Sequence, residues 1–375
     1  MRIAQVAPLV ESVPPAKYGG TERVIANLTA ELVRMGHEVT LYASGDSRTE
    51  ARLVPLVERA LWKSDSPQND IILHLAELGR VSRDARRFDV IHSHLDVLAF
   101  PFGRQSAAPF VHTLHGRLDL PELQTLYEQF SDVPVVSISD SQRRPIPHAN
   151  WVGQVYNGVA TDTLPFGTGR GGYLAFLGRI SPEKGVAEAI DVALKVGMPL
   201  KIAARLPLEG IDNSWVALDW AYYREEVKPR LSSSLIEFVG EVDDAEKGDL
   251  LKDAAGLVFP INWPEPFGLV MVEALACGTP VIARALGSTP EVIRHGRTGF
   301  LCSTVDEMVD ACQRLDSIDR FACRQDVEER FSARAMARRY VDVYRRVCGA
   351  ANPEPSLAPP IRLLRPTLEA APIPV

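Results

Sequence analysis

The chain has few cysteines, and their arrangement argues against disulfides and against a zinc site. Only five cysteines occur among 375 residues, an odd number, and no two form a Cys-x-x-Cys pair. All lie in the last third of the chain, at Cys277, Cys302, Cys312, Cys323 and Cys348. Disulfide frameworks use even numbers of cysteines, and zinc sites use closely spaced pairs. We therefore expect a reduced, cytoplasmic protein.

Long apolar runs and a surplus of positive charge are absent as well. The first ten residues, MRIAQVAPLV, are too soon interrupted for a signal peptide, and no apolar run reaches the length that spans a bilayer. The formal net charge is -7, whereas nucleic-acid-binding proteins carry a basic surplus. We expect no transmembrane segment and no nucleic-acid partner. Peripheral contact with a membrane and the oligomeric state stay open.

A glycine-rich dinucleotide fingerprint is also missing. Such a fingerprint must follow a strand and open a helix. The glycine-rich segment of this chain, GTGRGG at residues 167–172, precedes a predicted strand instead. The missing fingerprint therefore argues against an oxidoreductase with two Rossmann-like domains, which stays as an alternative function.

Short apolar segments alternate with amphipathic ones along most of the chain. Hydrophobic residues make up 46% and charged residues 24%, which is normal for a soluble globular protein. Strands are predicted in RIAQVAPL, EVTLYAS, FDVIHSH, PFVHTLH and VPVVSISD, and then in YLAFLGRI, LKIAARL, LIEFVGEV, GLVFPIN, TPVIARA and GFLCS. Thr21 is the predicted N-cap of the first helix. The alternation predicts an α/β fold with parallel sheets covered by helices.

Length and a local change of composition predict two domains. A chain of 375 residues exceeds the usual size of one domain, and glycine, threonine and proline cluster in GVATDTLPFGTGRGG. We place the domains at 1–165 and 166–330, with a helical stretch at 331–350. Residues 351–375 contain seven prolines and are predicted to be a disordered tail. Ligands are expected in the cleft between the domains, beyond the carboxyl ends of the strands.

Two glutamates stand in an otherwise apolar segment of the second half. Glu265 and Glu273 are the only charged residues in the range 254–283. Pro266 and Phe267 suit the start of a helix, and apart from Glu273 this helix has no polar face, which is typical of a buried helix. At about 1.5 Å rise per residue, the carboxylates lie about 12 Å apart. This separation suits two ends of one extended polar ligand, but a structural glutamate bonded to backbone or arginine is an equal alternative.

Two cations follow a predicted strand in the segment YLAFLGRISPEKG. Arg179 and Lys184 lie in the turn after the apolar residues. Arginine binds phosphate oxygens bidentately, and lysine acts as a point charge. An ordinary solvated turn explains this motif when it is taken alone. The Glu265 segment in the same domain favours phosphate binding.

Four histidines lie near the ends of two predicted strands, at His92, His94, His112 and His115. Because side chains alternate between the faces of a strand, His92 and His94 share one face, whereas His112 and His115 do not. This alternation disfavours a metal site. His115, which precedes Gly116, is the functional candidate.

Together these segments resemble the retaining GT-B glycosyltransferases of family GT4, over residues 1–348. GRISPEKG is similar to the phosphate-binding turn of that family, EPFGLVMVE to its two-glutamate motif, and YGGTERVIANLTAELVRMGHEVTLYAS to its glycine-rich loop, helix and strand. HTLHG, SISDSQ, VYNGV and FSARAMARRYVDVY match further family landmarks in family order. The resemblance implies two Rossmann-like βαβ domains that face each other across a cleft, and a final helix that crosses back to the N-terminal domain.

The resemblance also implies roles for the matching positions. Arg179 and Lys184 would bind the diphosphate of a nucleotide-sugar donor, and Glu265 and His115 would lie near its sugar. Glu273 would bind the ribose hydroxyls. The remaining donor contacts would come from backbone positions, namely Gly20 in the N-terminal domain, Phe238, Val239 and Gly240 beside the base, and Phe267, Gly268 and Leu269 at the helix N-terminus.

The implied reaction is the transfer of a sugar, with retention of configuration, to an acceptor that the sequence leaves unidentified. Fixed cations and amide dipoles stabilise the charge that remains on the diphosphate. The chain contains no Asp-x-Asp, the metal-binding signal of the other glycosyltransferase fold, so we predict no metal and no cofactor besides the donor substrate. Family frequency favours UDP-glucose as this donor.

The N-terminal string APLVESVPPAKYGGTERV resembles a GT4 subgroup that includes enzymes of natural-product glycosylation and of pterin glucosylation. This resemblance suggests a small molecule or natural product as the acceptor. A non-catalytic protein that binds sugar nucleotides is the second alternative for the function.

Overall fold

The computed structural model describes residues 1–17, 19–63, 69–207 and 214–350. The predicted tail at 351–375 lies outside these ranges. The described residues contain two parallel sheets, one of seven strands and one of six, which confirms the α/β prediction.

The first sheet is built from the N-terminal part of the chain. Its strands are β1 (Arg2–Val6), β2 (Glu38–Ala43), β3 (Arg52–Pro55), β4 (Val90–Ser93), β5 (Phe110–Thr113), β6 (Val135–Ser137) and β7 (Trp151–Gln154). They lie in the order β3-β2-β1-β4-β5-β6-β7. All four residues of β4 and of β5 are buried, as expected for strands with helices on both faces.

The sequence analysis misses two strands of this sheet, β3 and β7. Both are edge strands. Each carries only four residues, RLVP and WVGQ, and only Val54 of these eight is buried. These two segments lack the continuous apolar run that identifies a central strand, and an edge strand tolerates this because it faces water along one side.

The helices around the first sheet are α1 (Gly20–Arg34), α2 (Asp70–Asp84), α3 (Phe100–Arg104), α4 (Pro121–Gln129) and α5 (Asp140–Arg143). The prediction of Thr21 as the N-cap of α1 is wrong. The helix begins at Gly20, and its N-cap is Gly19, which has no side chain to form a capping hydrogen bond. Gly19 has a φ of 151°, and a Cβ there would lie 2.7 Å from Pro15 Cβ. Only glycine fits this turn.

The second sheet contains all six strands that the sequence predicts. They are β8 (Leu174–Arg179), β9 (Leu200–Arg205), β10 (Ile236–Gly240), β11 (Gly256–Phe259), β12 (Val281–Arg284) and β13 (Gly299–Cys302). Their order is β10-β9-β8-β11-β12-β13. The helices of this domain are α6 (Val186–Val196), α7 (Ser214–Tyr222), α8 (Asp244–Asp253), α9 (Leu269–Ala276), α10 (Thr289–Val292), α11 (Val305–Cys312) and α12 (Arg320–Arg330).

Helix α9 is the apolar helix of the two-glutamate segment. Six of its residues, from Met271 to Ala276, are buried, so the prediction of a buried helix is confirmed. Its predicted start at Pro266 or Phe267 is wrong, because the helix begins at Leu269. Gly268 precedes it in a left-handed conformation with a φ of 75°, which turns the chain before the first helical residue.

The last described helix, α13 (Ala333–Ala350), packs against the first sheet. Tyr340 and Tyr344 are fully buried there, in one core cluster with Val24 and Leu28 of α1. The Tyr344 hydroxyl lies 3.0 Å from Gln5 Nε2. The final helix thus completes the core of the N-terminal domain.

Candidate functional site

A cavity of about 900 Å³ lies between the two domains. Its walls include the glycine loop before α1 and the segments that follow β5, β8, β10 and β11, as expected for a site at the carboxyl ends of parallel strands. Nine of the twelve predicted site residues line this one cavity, namely Gly20, His115, Arg179, Lys184, Glu265, Phe267, Gly268, Leu269 and Glu273.

The other three predicted residues, Phe238, Val239 and Gly240, are not among the residues that line the cavity. The register of β10 shifts between Phe238 and Gly240, and Gly240 has a φ of 86°. The chain therefore reaches the cavity only after this turn, where Glu241 and Val242 line the wall. The contact of Phe238, Val239 and Gly240 with a base stays a prediction.

Lys184 forms an ion pair with Glu265, with Nζ 2.5 Å from Oε2. The same carboxylate oxygen accepts a hydrogen bond of 3.0 Å from Trp263 Nε1, and the lysine Nζ lies 4.9 Å from the centroid of the tryptophan ring. The side chains of Lys184 and Glu265 are only 17% and 10% exposed. Lys184 is therefore held in the cleft wall. Its side chain is mostly buried, unlike the solvent-exposed side chains of an ordinary turn.

Arg179 is the more exposed cation of this turn. Its Nη2 lies 2.5 Å from Glu183 Oε1, and its Nε lies 3.5 Å from Asp219 Oδ2. Burial raises the pKa of Asp219, while Arg179 opposes that rise. At 46% side-chain exposure the guanidinium remains accessible from the cleft, so it can exchange carboxylate partners for phosphate oxygens.

The N-terminus of α9 opens into the cavity. Phe267, Gly268 and Leu269 all line it, and no side chain caps the helix. A Cβ on Gly268 would lie 2.6 Å from Met271 Cε and 3.3 Å from Glu265 Cγ, so a side chain would disturb both the helix and the carboxylate. Free amide groups at a helix N-terminus attract anions.

Glu273 is held by a lysine that the sequence analysis does not predict. Lys247 Nζ lies 2.5 Å from Glu273 Oε1 and 3.0 Å from Asp244 Oδ1, and Lys247 is buried. Arg23 Nε in the opposite domain lies 3.9 Å from the same oxygen of Glu273. A signal existed, because Lys247 stands three and four residues before Leu250 and Leu251, on the apolar face of α8.

His115 ends a buried chain of hydrogen bonds. Its Nε2 lies 2.9 Å from His94 Nδ1, and His94 Nε2 lies 2.8 Å from Gln5 Oε1. Because the Gln5 oxygen can only accept, His94 Nε2 carries the proton and His94 Nδ1 accepts from His115. Burial lowers the pKa of His115 to about 4, so the ring is neutral at pH 7 and its Nδ1 is an acceptor.

His112 points to the other face of the sheet, as the alternation predicts. Its ring packs between Phe100 and Phe110, with centroid distances of 4.9 and 5.6 Å.

Across the described ranges, no group of three or more His, Cys, Asp or Glu residues is arranged to hold a metal ion. In the same ranges, no helix combines the length and apolarity needed to cross a membrane.

Glu291 joins the two domains beside the cavity. Its two carboxylate oxygens accept hydrogen bonds from the backbone N–H groups of Asp140 and Ser141, at 2.8 and 2.7 Å. The Tyr156 hydroxyl donates to the same carboxylate at 3.1 Å. Glu291 belongs to α10, whereas its backbone partners begin α5, so this contact fixes one edge of the interdomain cleft.

Both halves of the chain match known families. Residues 168–332 match the family described as Glycosyl transferases group 1, and residues 18–161 match Glycosyltransferase Family 4. Glycogen synthase of Mycobacterium tuberculosis is 26% identical over 346 residues, which cover 78% of this chain and 81% of that protein.

Solved structures share the arrangement of the two sheets. AviGT4, a glycosyltransferase involved in avilamycin A biosynthesis, superposes with a TM-score of 0.67 at 24% identity, covering 93% of this chain and 98% of that one. HepE of Anabaena, solved in complex with UDP and glucose, gives a TM-score of 0.70 at 17% identity, with coverages of 92% and 100%. At these identities the likeness shows the fold.

Proposed function

The chain is a glycosyltransferase of the GT4 type with the GT-B fold, and on this premise we propose that it transfers glucose from UDP-glucose to a small-molecule acceptor. In this proposal residues 1–165 form the acceptor side and residues 166–330 the donor side. Transfer proceeds with retention of configuration and without a metal ion.

The observation that carries the proposal is the convergence of complementary groups in one cavity. Cations at Arg179 and Lys184, the open N-terminus of α9 and the carboxylate of Glu273 all line it. A nucleotide diphosphate sugar presents a matching series, with ribose hydroxyls at one end, two phosphates in the middle and sugar hydroxyls at the other end. Support for UDP comes from the HepE complex with UDP and glucose, which shares the fold.

Cleavage of the sugar–phosphate bond leaves negative charge on the diphosphate. Arg179, Lys184 and the amide groups at the start of α9 stabilise this charge, and they are already positioned before the reaction begins. The cationic groups take the role that a metal ion plays elsewhere. This arrangement supports metal-independent transfer, whereas retention is supported by the resemblance to family GT4.

In this proposal Glu265 and His115 would contact the donor sugar from opposite domains, since both line the cavity. Glu265 shares one carboxylate oxygen between Lys184 and Trp263, so it is fixed and can accept hydrogen bonds from sugar hydroxyls. His115 Nδ1, an acceptor at pH 7, offers a second such contact from the N-terminal domain. Both groups would orient the sugar without becoming covalently attached to it.

A screen of nucleotide sugars tests the proposal. UDP-glucose is expected to raise the melting temperature of the wild-type protein more than GDP-mannose or ADP-glucose, and to be hydrolysed slowly without an acceptor or added metal. A failure of all three compounds to bind would contradict the donor assignment. Binding of UDP-glucose with neither hydrolysis nor transfer to any acceptor would support the non-catalytic alternative.

A further inference from the structure

Arg23 stands at a junction of three elements around the donor cleft. One guanidinium nitrogen donates a hydrogen bond of 2.6 Å to the carbonyl oxygen of Lys17, and another forms an ion pair with Asp244 of the opposite domain. Its Nε lies 3.9 Å from Glu273 Oε1. The side chains of Arg23 and Glu273 are only 12% and 8% exposed, so salt screens their contact less than it would at the surface.

Lys247 completes this cluster from the side of the C-terminal domain. It binds Glu273 Oε1 and Asp244 Oδ1, so two cations and two carboxylates balance each other in charge. Both cationic contacts of Glu273 within the described ranges go to Oε1. Oε2 is therefore the oxygen that can accept a hydrogen bond from a ligand in the cavity.

The glycine loop depends on the same arginine for its position. Lys17, whose carbonyl binds Arg23, comes two residues before Gly19, which has a φ of 151°. Lys17 Nζ also donates to the carbonyl oxygen of Glu241 in the opposite domain, at 3.3 Å. Gly19 and Gly20 carry no side chains that could anchor the loop. The contacts of Lys17 and Arg23 hold it beside the cavity.

We propose that Arg23 is a positioning residue, which couples ribose binding at Glu273 to the placement of the Gly19–Gly20 loop against the donor diphosphate. Asp244 holds Arg23 from the opposite domain, so that the guanidinium stays beside Glu273. A hydroxyl that binds Glu273 fixes its carboxylate, and the carboxylate then fixes Arg23 and the backbone of the loop. The inference rests on the proposed function, because it requires a nucleotide-sugar donor in this cleft.

A nucleoside without phosphates separates this coupling from direct contact. Uridine can occupy the ribose site but cannot touch the loop through a diphosphate. Hydrogen–deuterium exchange is measured on the full chain with and without saturating uridine. In the wild type, exchange is expected to slow in peptides that contain Gly19 and Gly20, as well as in peptides of α9 that contain Glu273.

Two variants interrupt the coupling from opposite ends. Arg23→Gln removes the junction, and Asp244→Asn, at an exposed position, weakens the link across the domains together with the contact of Asp244 with Lys247. In both, uridine is expected to protect α9 but no longer the loop, and the affinity for UDP should fall about tenfold, as for one lost hydrogen bond to a charged group. The double variant should bind UDP no more weakly than Arg23→Gln alone, because the two residues act as one unit.

Matched controls exist on the same helices. Arg34→Gln breaks an exposed ion pair with Glu31 on α1, and Asp249→Asn breaks one with Lys252 on α8. Both controls should retain loop protection and UDP affinity. Equal loop protection by uridine in wild type and Asp244→Asn would overturn the coupling. If the wild type still bound UDP and Glu273→Gln bound it about tenfold more weakly, the donor proposal would remain intact. Absence of uridine and UDP binding to the wild type would overturn the proposed donor, and this inference with it.

Discussion

Lys184 and Glu265 are 81 residues apart in the chain, yet Nζ lies 2.5 Å from Oε2 in the cleft wall. The sequence analysis assigns the lysine to the phosphates and the glutamate to the sugar, as separate contacts. Their ion pair makes them one unit, in which each side chain holds the other in position. A change to either residue is therefore expected to affect both ends of the scissile bond.

Lys184→Ala is expected to lower kcat/KM about 10²–10³-fold, the usual cost of removing one preorganised group that stabilises transition-state charge. The melting temperature should also fall, because Glu265 loses its cationic partner in a nearly buried place. Steady-state kinetics with UDP-glucose and thermal unfolding measure the two effects. Lys195→Ala, which breaks an exposed ion pair with Asp306, is the matched control. Unchanged turnover in Lys184→Ala would contradict the phosphate assignment.

Glu273→Gln is expected to weaken UDP binding about tenfold, since a charged acceptor of ribose hydrogen bonds becomes neutral. Lys247 keeps Asp244 as a partner, so the free energy of unfolding should fall by only about 1–3 kcal/mol. Calorimetric titration with UDP and urea denaturation test these expectations. Glu329→Gln, at an exposed position, serves as the control, and equal UDP affinity in all three proteins would rule out the ribose assignment.

Stability is expected to fall as the pH drops below about 6.5, where unfolded histidines become protonated. Burial lowers the pKa of His112 to about 3 and that of His115 to about 4, so the folded protein does not bind these protons until much lower pH. Between about pH 6.5 and these folded-state pKa values, the unfolded chain therefore binds more protons than the folded protein. Each of the two histidines then lowers the free energy of unfolding by about 1.4 kcal/mol for every unit by which the pH falls.

His112→Leu removes one of these groups and should flatten the fall in stability between about pH 6 and pH 4. Urea denaturation at several pH values gives the slopes. His148→Leu replaces a surface histidine and is the comparison variant. If His112→Leu and wild type show the same slope, His112 does not stay neutral in the folded protein.

Glu291→Ala is expected to loosen the two domains, because the backbone N–H groups of Asp140 and Ser141 lose their acceptors across the interface. Small-angle X-ray scattering should show a larger radius of gyration for the free variant, and UDP-glucose should partly restore the wild-type value. Glu307→Ala removes a carboxylate that binds the Ser303 backbone within one domain, so it should leave the scattering curve unchanged. A compact Glu291→Ala protein would show that other contacts determine the domain arrangement.

The sequence correctly predicts those strands and helices that can be recognised from their own residues. The six strands of the second sheet are runs of apolar residues, and each is found where it is predicted. Strands β3 and β7 escape prediction because RLVP and WVGQ carry no continuous apolar run, whereas the edge strands β10 and β13 stand in the more apolar segments LIEFVGEV and GFLCS. The start of α9 is also missed, since Gly268 adopts a left-handed conformation that delays the helix to Leu269.

The residues of the cleft also fall into two groups, those that a local sequence motif identifies and those that only the fold brings together. Gly20, Arg179, Lys184, Glu265 and Glu273 stand in short motifs, and the structure brings them into one cavity. Their partners cannot be found this way. The spacing of Lys247 from Leu250 and Leu251 indicates only that it lies on the apolar face of its helix. That Arg23 and Lys247 both meet Glu273 depends on the convergence of two domains and three helices.

The return of α13 to the first sheet has a consequence for synthesis on the ribosome. Tyr340 and Tyr344 fill the interior of a domain whose strands emerge from the ribosome much earlier. The apolar surface of the first domain therefore stays uncovered until residues 333–350 have been synthesised. A gene fragment that ends after the first sheet should yield an aggregating product, whereas supplying the missing helix as a separate peptide should rescue its solubility.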